Sequence, residues 1–131
     1  MNKRQKASEN HKNGCNCAQA VACVFAERLG YSEDELFRLT EAFGGGMGGT
    51  QGVCGAVSAM VFVAGAIKSY GIDKLPQTNK KESYDSAREL MEKFESEIGT
   101  IMCSEIKNNQ LYSCDECIEK GVELLEQFIG E

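Results

Sequence analysis

Val53-Cys54-Gly55-Ala56-Val57-Ser58-Ala59-Met60-Val61-Phe62-Val63-Ala64-Gly65-Ala66-Ile67 is the longest apolar stretch of the chain, fifteen residues interrupted only by Ser58. It falls short of the roughly 18–20 residues that cross a bilayer, so it is not read as a membrane span. No period-two alternation runs through it. It reads instead as the central helix of a core, buried on most of its circumference, with Gly and Ala admitting neighbouring helices closely. The same small residues permit tight self-association, and a homodimer is the expectation. Thr50 is the expected N-cap, which puts Cys54 at the fourth helical position.

Helical spacing extends outward on both sides. Ala18, Val21, Ala22, Phe25 and Leu29 recur at three and four residues and stop at Gly30, a residue suited to a left-handed cap. Ser32 with Glu35 forms a capping box for a short helix whose face is Leu36, Leu39, Thr40 and Phe43. Beyond a connector around Gly71 to Pro76, Tyr84, Ala87, Met91, Phe94 and Ile98 mark another helix, ended by Gly99. Ser113-Cys114-Asp115-Glu116 announces the last one, with Ile118, Val122, Leu125 and Ile129 facing inward. With a single proline and no strand pattern, the expectation is an all-α, single-domain bundle of about five to six helices over residues 1–131. Residues 1–14 read as a mobile or loosely packed N-terminal segment.

Composition narrows the function. The chain has 131 residues, 42% of them hydrophobic, and a net charge of −6. A backbone-neutralising nucleic-acid surface is not expected, since no polybasic cluster stands out. Seven cysteines form an odd total, about 5% of the chain, which is below the roughly 8–10% of disulfide-built scaffolds. The charged start Met1-Asn2-Lys3-Arg4-Gln5-Lys6 leads into no apolar signal region, so a reducing, cytoplasmic compartment is the expectation. In such a compartment spaced cysteines are more often redox-active or metal-binding than cross-linked.

Capping arithmetic places these thiols. With Ser113 as N-cap, Cys114 is the first helical residue and Cys117 the fourth, near unpaired N–H groups and the positive end of the helix dipole, which favour thiolate. Cys17 stands at the start of the first apolar helix and Cys103 in the turn before the last. A bundle can gather such helix starts at one pole, bringing Cys17, Cys54, Cys103 and Cys114 or Cys117 together. Cys23, mid-helix, reads as packing. Cys15 is open between packing and chelation with Cys17.

Between the second and central helices lies Gly44-Gly45-Gly46-Met47-Gly48-Gly49, a loop whose N–H groups can cradle an anion, here sulfur or a sulfur-ligated cofactor. Gly45, Gly46, Gly48, Gly49 and Gly55 are its candidate contacts. The run matches Gly-x-Gly-x-x-Gly, but no strand precedes it and no Lys follows Gly49, so nucleotide binding is not expected. Neither Cys17 nor Cys117 is followed by His, which removes the covalent haem signal. The lone His11 reads as solvated, and a Cys-His nucleophile pair is unsupported. Zinc would want a second Cys-x-x-Cys beside Cys114/Cys117.

Asn16-Cys17-Ala18-Gln19-Ala20-Val21, Phe43-Gly44-Gly45-Gly46-Met47-Gly48, Val53-Cys54-Gly55-Ala56-Val57-Ser58, the single Cys103 and a Cys ahead of a terminal Glu-Leu-Leu-Glu helix together resemble the C_GCAxxG_C_C family of redox-active proteins. The resemblance runs from about Asn16 to Leu125. It implies four redox-active or metal-ligating cysteines: Cys17, Cys54, Cys103 and one of the final pair. Cys114 is preferred because the family's last Cys commonly stands four residues before an aliphatic position, here Ile118; Cys117 is the alternate. The motif's closing Gly is Ala59 here. The chain also resembles the iron–sulfur-binding part of split-Soret cytochromes, without their haem signals. Three readings follow: an iron–sulfur cluster for electron transfer with an unidentified redox partner, a metal-free thiol–disulfide protein, or a helical module holding zinc or another soft metal.

Overall fold

A computed structural model describes residues 1–131. It is all-α, with helices α1 (Lys3–Lys12), α2 (Cys17–Cys23), α3 (Ala26–Leu29), α4 (Glu33–Thr40), α5 (Gly55–Lys68), α6 (Lys80–Ile98), α7 (Cys103–Asn108) and α8 (Cys114–Ile129). Single 3-10 turns sit at Glu41–Phe43 and Ile72–Lys74. No strand forms; one isolated antiparallel bridge joins Val53 to Met102. No helix is long and apolar enough to cross a membrane.

The central stretch is α5, which packs against α2, α6 and α8. Gly55, Ala56, Ala59 and Ala64 are buried within the chain, so the close contacts that suggested a homodimer are made intramolecularly. Ala59, where the family motif has Gly, is fully buried, and its methyl is part of the core. Phe25, Phe94, Leu36, Met60 and Leu90 are the largest side chains in the interior.

Five expectations are corrected. The predicted helix through Ala18 to Leu29 is two helices, because the chain tightens where the Phe25 N–H bonds Ala22 O three residues back. Leu39 and Tyr84 are exposed rather than inward-facing; Ser86, Leu90, Phe94 and Ile98 form the buried stripe of α6. Residues 3–12 form a docked helix: Asn2 and Gln5 make a capping box, and Ala7 is fully buried where α1 packs on α8. With α1, α3 and α7 added, the helices number eight rather than five or six. Lastly, Thr50 does not cap α5. Its hydroxyl donates to Gly46 O and Met47 O inside the glycine loop, and the helix begins one residue after Cys54.

Candidate functional site

Four cysteines stand at four helix starts. Cys17 is the first residue of α2, behind an Asn16/Gln19 capping box. Cys114 is the first residue of α8, behind a Ser113/Glu116 box, and Cys117 the fourth. Cys103 opens α7. Cys54 is itself the N-cap of α5, a position where an oxygen side chain is the usual choice. The orphan N–H groups of Ala56 and Val57 bear on its sulfur instead.

Local backbone contacts draw these starts together. The Cys54 N–H donates to Ile101 O at 2.7 Å and the Cys103 N–H to Gly52 O at 2.7 Å, flanking the Val53–Met102 bridge and holding the two cysteines side by side. At Gly55 a Cβ would stand 3.0 Å from Ala18 N and 3.2 Å from Cys17 Cβ, so the missing side chain lets α5 begin against the start of α2. At Gly46, with φ +73°, a Cβ would lie 2.8 Å from Cys103 Cβ and 2.7 Å from Gln51 Cα. Only glycine lets the loop press on Cys103 there.

The result is a pocket of about 180 Å³ lined by Cys17, Cys54, Cys103, Cys114 and Cys117. Gly45, Gly46, His11, Lys107 and Tyr112 also line it. Cys54, Cys103 and Cys117 are buried, Cys17 is half-buried and Cys114 is exposed. The thiols act on one another in two pairs, Cys54 with Cys117 and Cys17 with Cys114. The bond from Cys117 lowers the Cys54 thiol to about 7 against the cost of its burial, helped by the Ala56 and Val57 N–H groups and by Lys107. The same bond, with burial, raises Cys117. Burial and then neighbouring sulfurs raise Cys17. Burial raises Cys103, and Lys107 opposes it. One site thus holds an ionisable sulfur among protonated ones.

The glycine candidates divide. Gly48 and Gly49 donate inside their own loop, to Ala42 O and Gly44 O, and lie outside the pocket. Gly55 serves helix packing. Gly45 and Gly46 line the pocket, and their N–H groups make no hydrogen bond within the chain. They are the part of the loop that can still serve an anion. As the side chains stand, no three His, Cys, Asp or Glu residues are grouped to hold a metal ion.

His11, read from sequence as solvated, is half-buried at the pocket wall, with Nδ1 2.9 Å from an Asp115 oxygen. Only Ala7 of α1 is buried, so no apolar period marked that helix as docked. Its capping box was the available signal. Lys107 and Tyr112 were also missed; they line the pocket from the segment between Cys103, which opens α7, and Cys114, which opens α8.

Cys15 and Cys23 are elsewhere. Both border a shallow cavity with Asn10, Glu33, Asp34 and Phe37. The Cys23 thiol donates to Glu33 O at 3.7 Å. Burial, Cys15 and Glu33 raise it to about 11. Burial and Glu33 also raise Cys15.

A family model described as "Putative redox-active protein (C_GCAxxG_C_C)" matches residues 15–128. No curated protein and no solved structure matches the chain. The match covers most of the sequence, and the chain belongs to this redox-active C_GCAxxG_C_C family.

Proposed function

We propose that this protein carries electrons at the cysteine pocket, with Cys17, Cys54, Cys103 and Cys114 holding an iron–sulfur cluster. The observation that carries the reading is the convergence of five thiols on one 180 Å³ pocket beside the free N–H groups of Gly45 and Gly46. A dithiol reaction needs two sulfurs; five from four helix starts match an all-sulfur ligand set better. The donor chemistry fits: soft sulfur, partial burial and N–H groups able to stabilise negative charge. Because no three donors are grouped around one point, binding requires the thiols to turn toward a common point in the pocket. A bound cluster would supply one-electron transfer.

The chain's own residues have definable work. Cys54, already near ionisation, is the first ligand to commit, since only thiolate binds metal. The other sulfurs must release protons, so binding strengthens as pH rises. Lys107 offsets part of the accumulated negative charge. The resemblance to the iron–sulfur part of split-Soret cytochromes points the same way. Under this reading the partner is another electron carrier, the cytoplasm is the expected compartment, and zinc is the competing metal.

The test is purification without oxygen, followed by iron and sulfide analysis and a visible spectrum. Stoichiometric iron and sulfide with sulfur-to-iron absorption supports the reading. A folded, fully reduced protein that stays colourless after reconstitution overturns it. Zinc without sulfide would establish the soft-metal module in its place.

A further inference from the structure

The segment joining α5 to α6 and the first turn of α6 gather four of the molecule's eleven exposed large apolar side chains. Ser69 to Thr78 are ten consecutive exposed residues. Within them Tyr70 is 54%, Ile72 79% and Leu75 60% exposed, and Tyr84 of α6 is 57% exposed. All four line one cavity of about 260 Å³. Apolar side chains gathered in this way mark an interaction site, whereas single ones are ordinary. The small residues of α5, which suggested self-association, are buried inside the chain and are no part of this patch.

The charges around the patch select its partner. Lys81 is held by Asp85 at 3.0 Å, and Lys68 lies over the Phe128 ring. Two cations, Lys74 and Lys80, and two anions, Asp73 and Glu82, are exposed and have no ion pair within the chain. An anionic lipid surface would attract the lysines and repel the acids; a basic partner would do the reverse. A second copy related by a two-fold axis satisfies both signs, because an isologous interface sets the same patch against itself. The apolar centre is self-matching too. Ile72 projects furthest into solvent, and the cavity offers a seat for the same side chain of the copy.

We propose that two copies of the chain pair through this patch, with Tyr70, Ile72, Leu75 and Tyr84 at the centre and lysines meeting acids around it. The patch lies beyond the end of α5 and the cysteine pocket at its start, and the fourteen helical residues between them span about 20 Å. Pairing here keeps both cysteine pockets clear of the interface. It does not depend on what the pocket holds, so it stands or falls separately from the cluster.

The test is sedimentation velocity of metal-free full-length protein at micromolar and near-millimolar concentrations, kept reduced so that the exposed Cys114 cannot cross-link copies. The expected result is a two-chain species that fills as concentration rises. Ile72→Asp, at a position with little burial to lose, should stay folded by circular dichroism and run as one chain at both concentrations. Asp73→Lys with Glu82→Lys, and separately Lys74→Glu with Lys80→Glu, should each run as one chain alone and should pair when mixed. Like charges face each other in the separate samples and opposite charges in the mixture. A wild-type chain that stays single at the higher concentration overturns the proposal. So does a two-chain species that survives Ile72→Asp, or one that fails to re-form when the two charge variants are mixed. A single wild-type chain that co-floats with phosphatidylserine vesicles overturns it in favour of a lipid surface.

Discussion

Cys54 and Cys23 are equally hidden, each 5% exposed, yet their thiols move in opposite directions, to about 7 and about 11. Cys54 caps the start of α5, receiving a proton donor from Cys117 and N–H groups from Ala56 and Val57. Cys23 closes the end of α2, where its thiol must donate to Glu33 O and where Cys15 and Glu33 add negative charge. Burial penalises both thiolates. The end of the helix a cysteine occupies, and what faces it, decides whether a buried thiol is reactive or inert.

Removing one sulfur from each region gives the largest contrast. Cys54→Ser should lower iron and sulfide per chain at least about tenfold, since losing a ligand or its supporting groups costs of order 10–100-fold in affinity. Cys23→Ser should leave both at the wild-type level. Equal losses in the two variants would break the comparison.

Alkylation of the reduced, metal-free protein sharpens it. Near pH 8 about nine-tenths of Cys54 and about one-thousandth of Cys23 are thiolate, so iodoacetamide should modify Cys54 at least about a hundredfold faster. The sign follows from the shifts: labelling of Cys54 climbs as pH rises through about 7 and then levels, whereas that of Cys23 still climbs toward about 11. Site-resolved mass spectrometry reads both rates in one sample.

A smaller contrast separates the two faces of the glycine loop. Gly46→Ala places a methyl against Gln51, Gly52 and Cys103 in a left-handed backbone, and should destabilise by about 2–4 kcal/mol from strain and overpacking. Gly48→Ala, with φ +64° and only Ala42 O at 3.9 Å, meets no such crowding, and should cost about 1–2 kcal/mol. Urea midpoints at constant slope measure both.

The legible parts of the molecule were those encoded locally. Ser32 and Ser113 cap α4 and α8 as their boxes announce, and Gly30 and Gly99 end α3 and α6 in left-handed conformations. Those boundaries put Cys114 and Cys117 on the first turn of α8 from sequence alone. The start of α5 was misread because the N-cap position is held by Cys54 and not by Thr50, which resembles an ordinary oxygen cap. Its hydroxyl is claimed by carbonyls of a loop that needs left-handed backbone at Met47 and Gln51 as well as at its glycines. No local signal marks that requirement. His11 was missed for a different reason: its partner Asp115 lies 104 residues away, and α1 carries no apolar stripe to dock it visibly.

The claim at the centre of this account is that sulfurs at converging helix starts act as one unit from which Cys15 and Cys23 are separate. The direct measurement is an isotope-coded alkylation footprint of all seven cysteines, taken without oxygen on iron-loaded protein and again after chelation has stripped the iron. Cys17, Cys54, Cys103 and Cys114 should pass together from protected to reactive, with Cys15 and Cys23 unchanged. Protection that leaves those four unaltered, or that moves Cys15 and Cys23 with them, would contradict it.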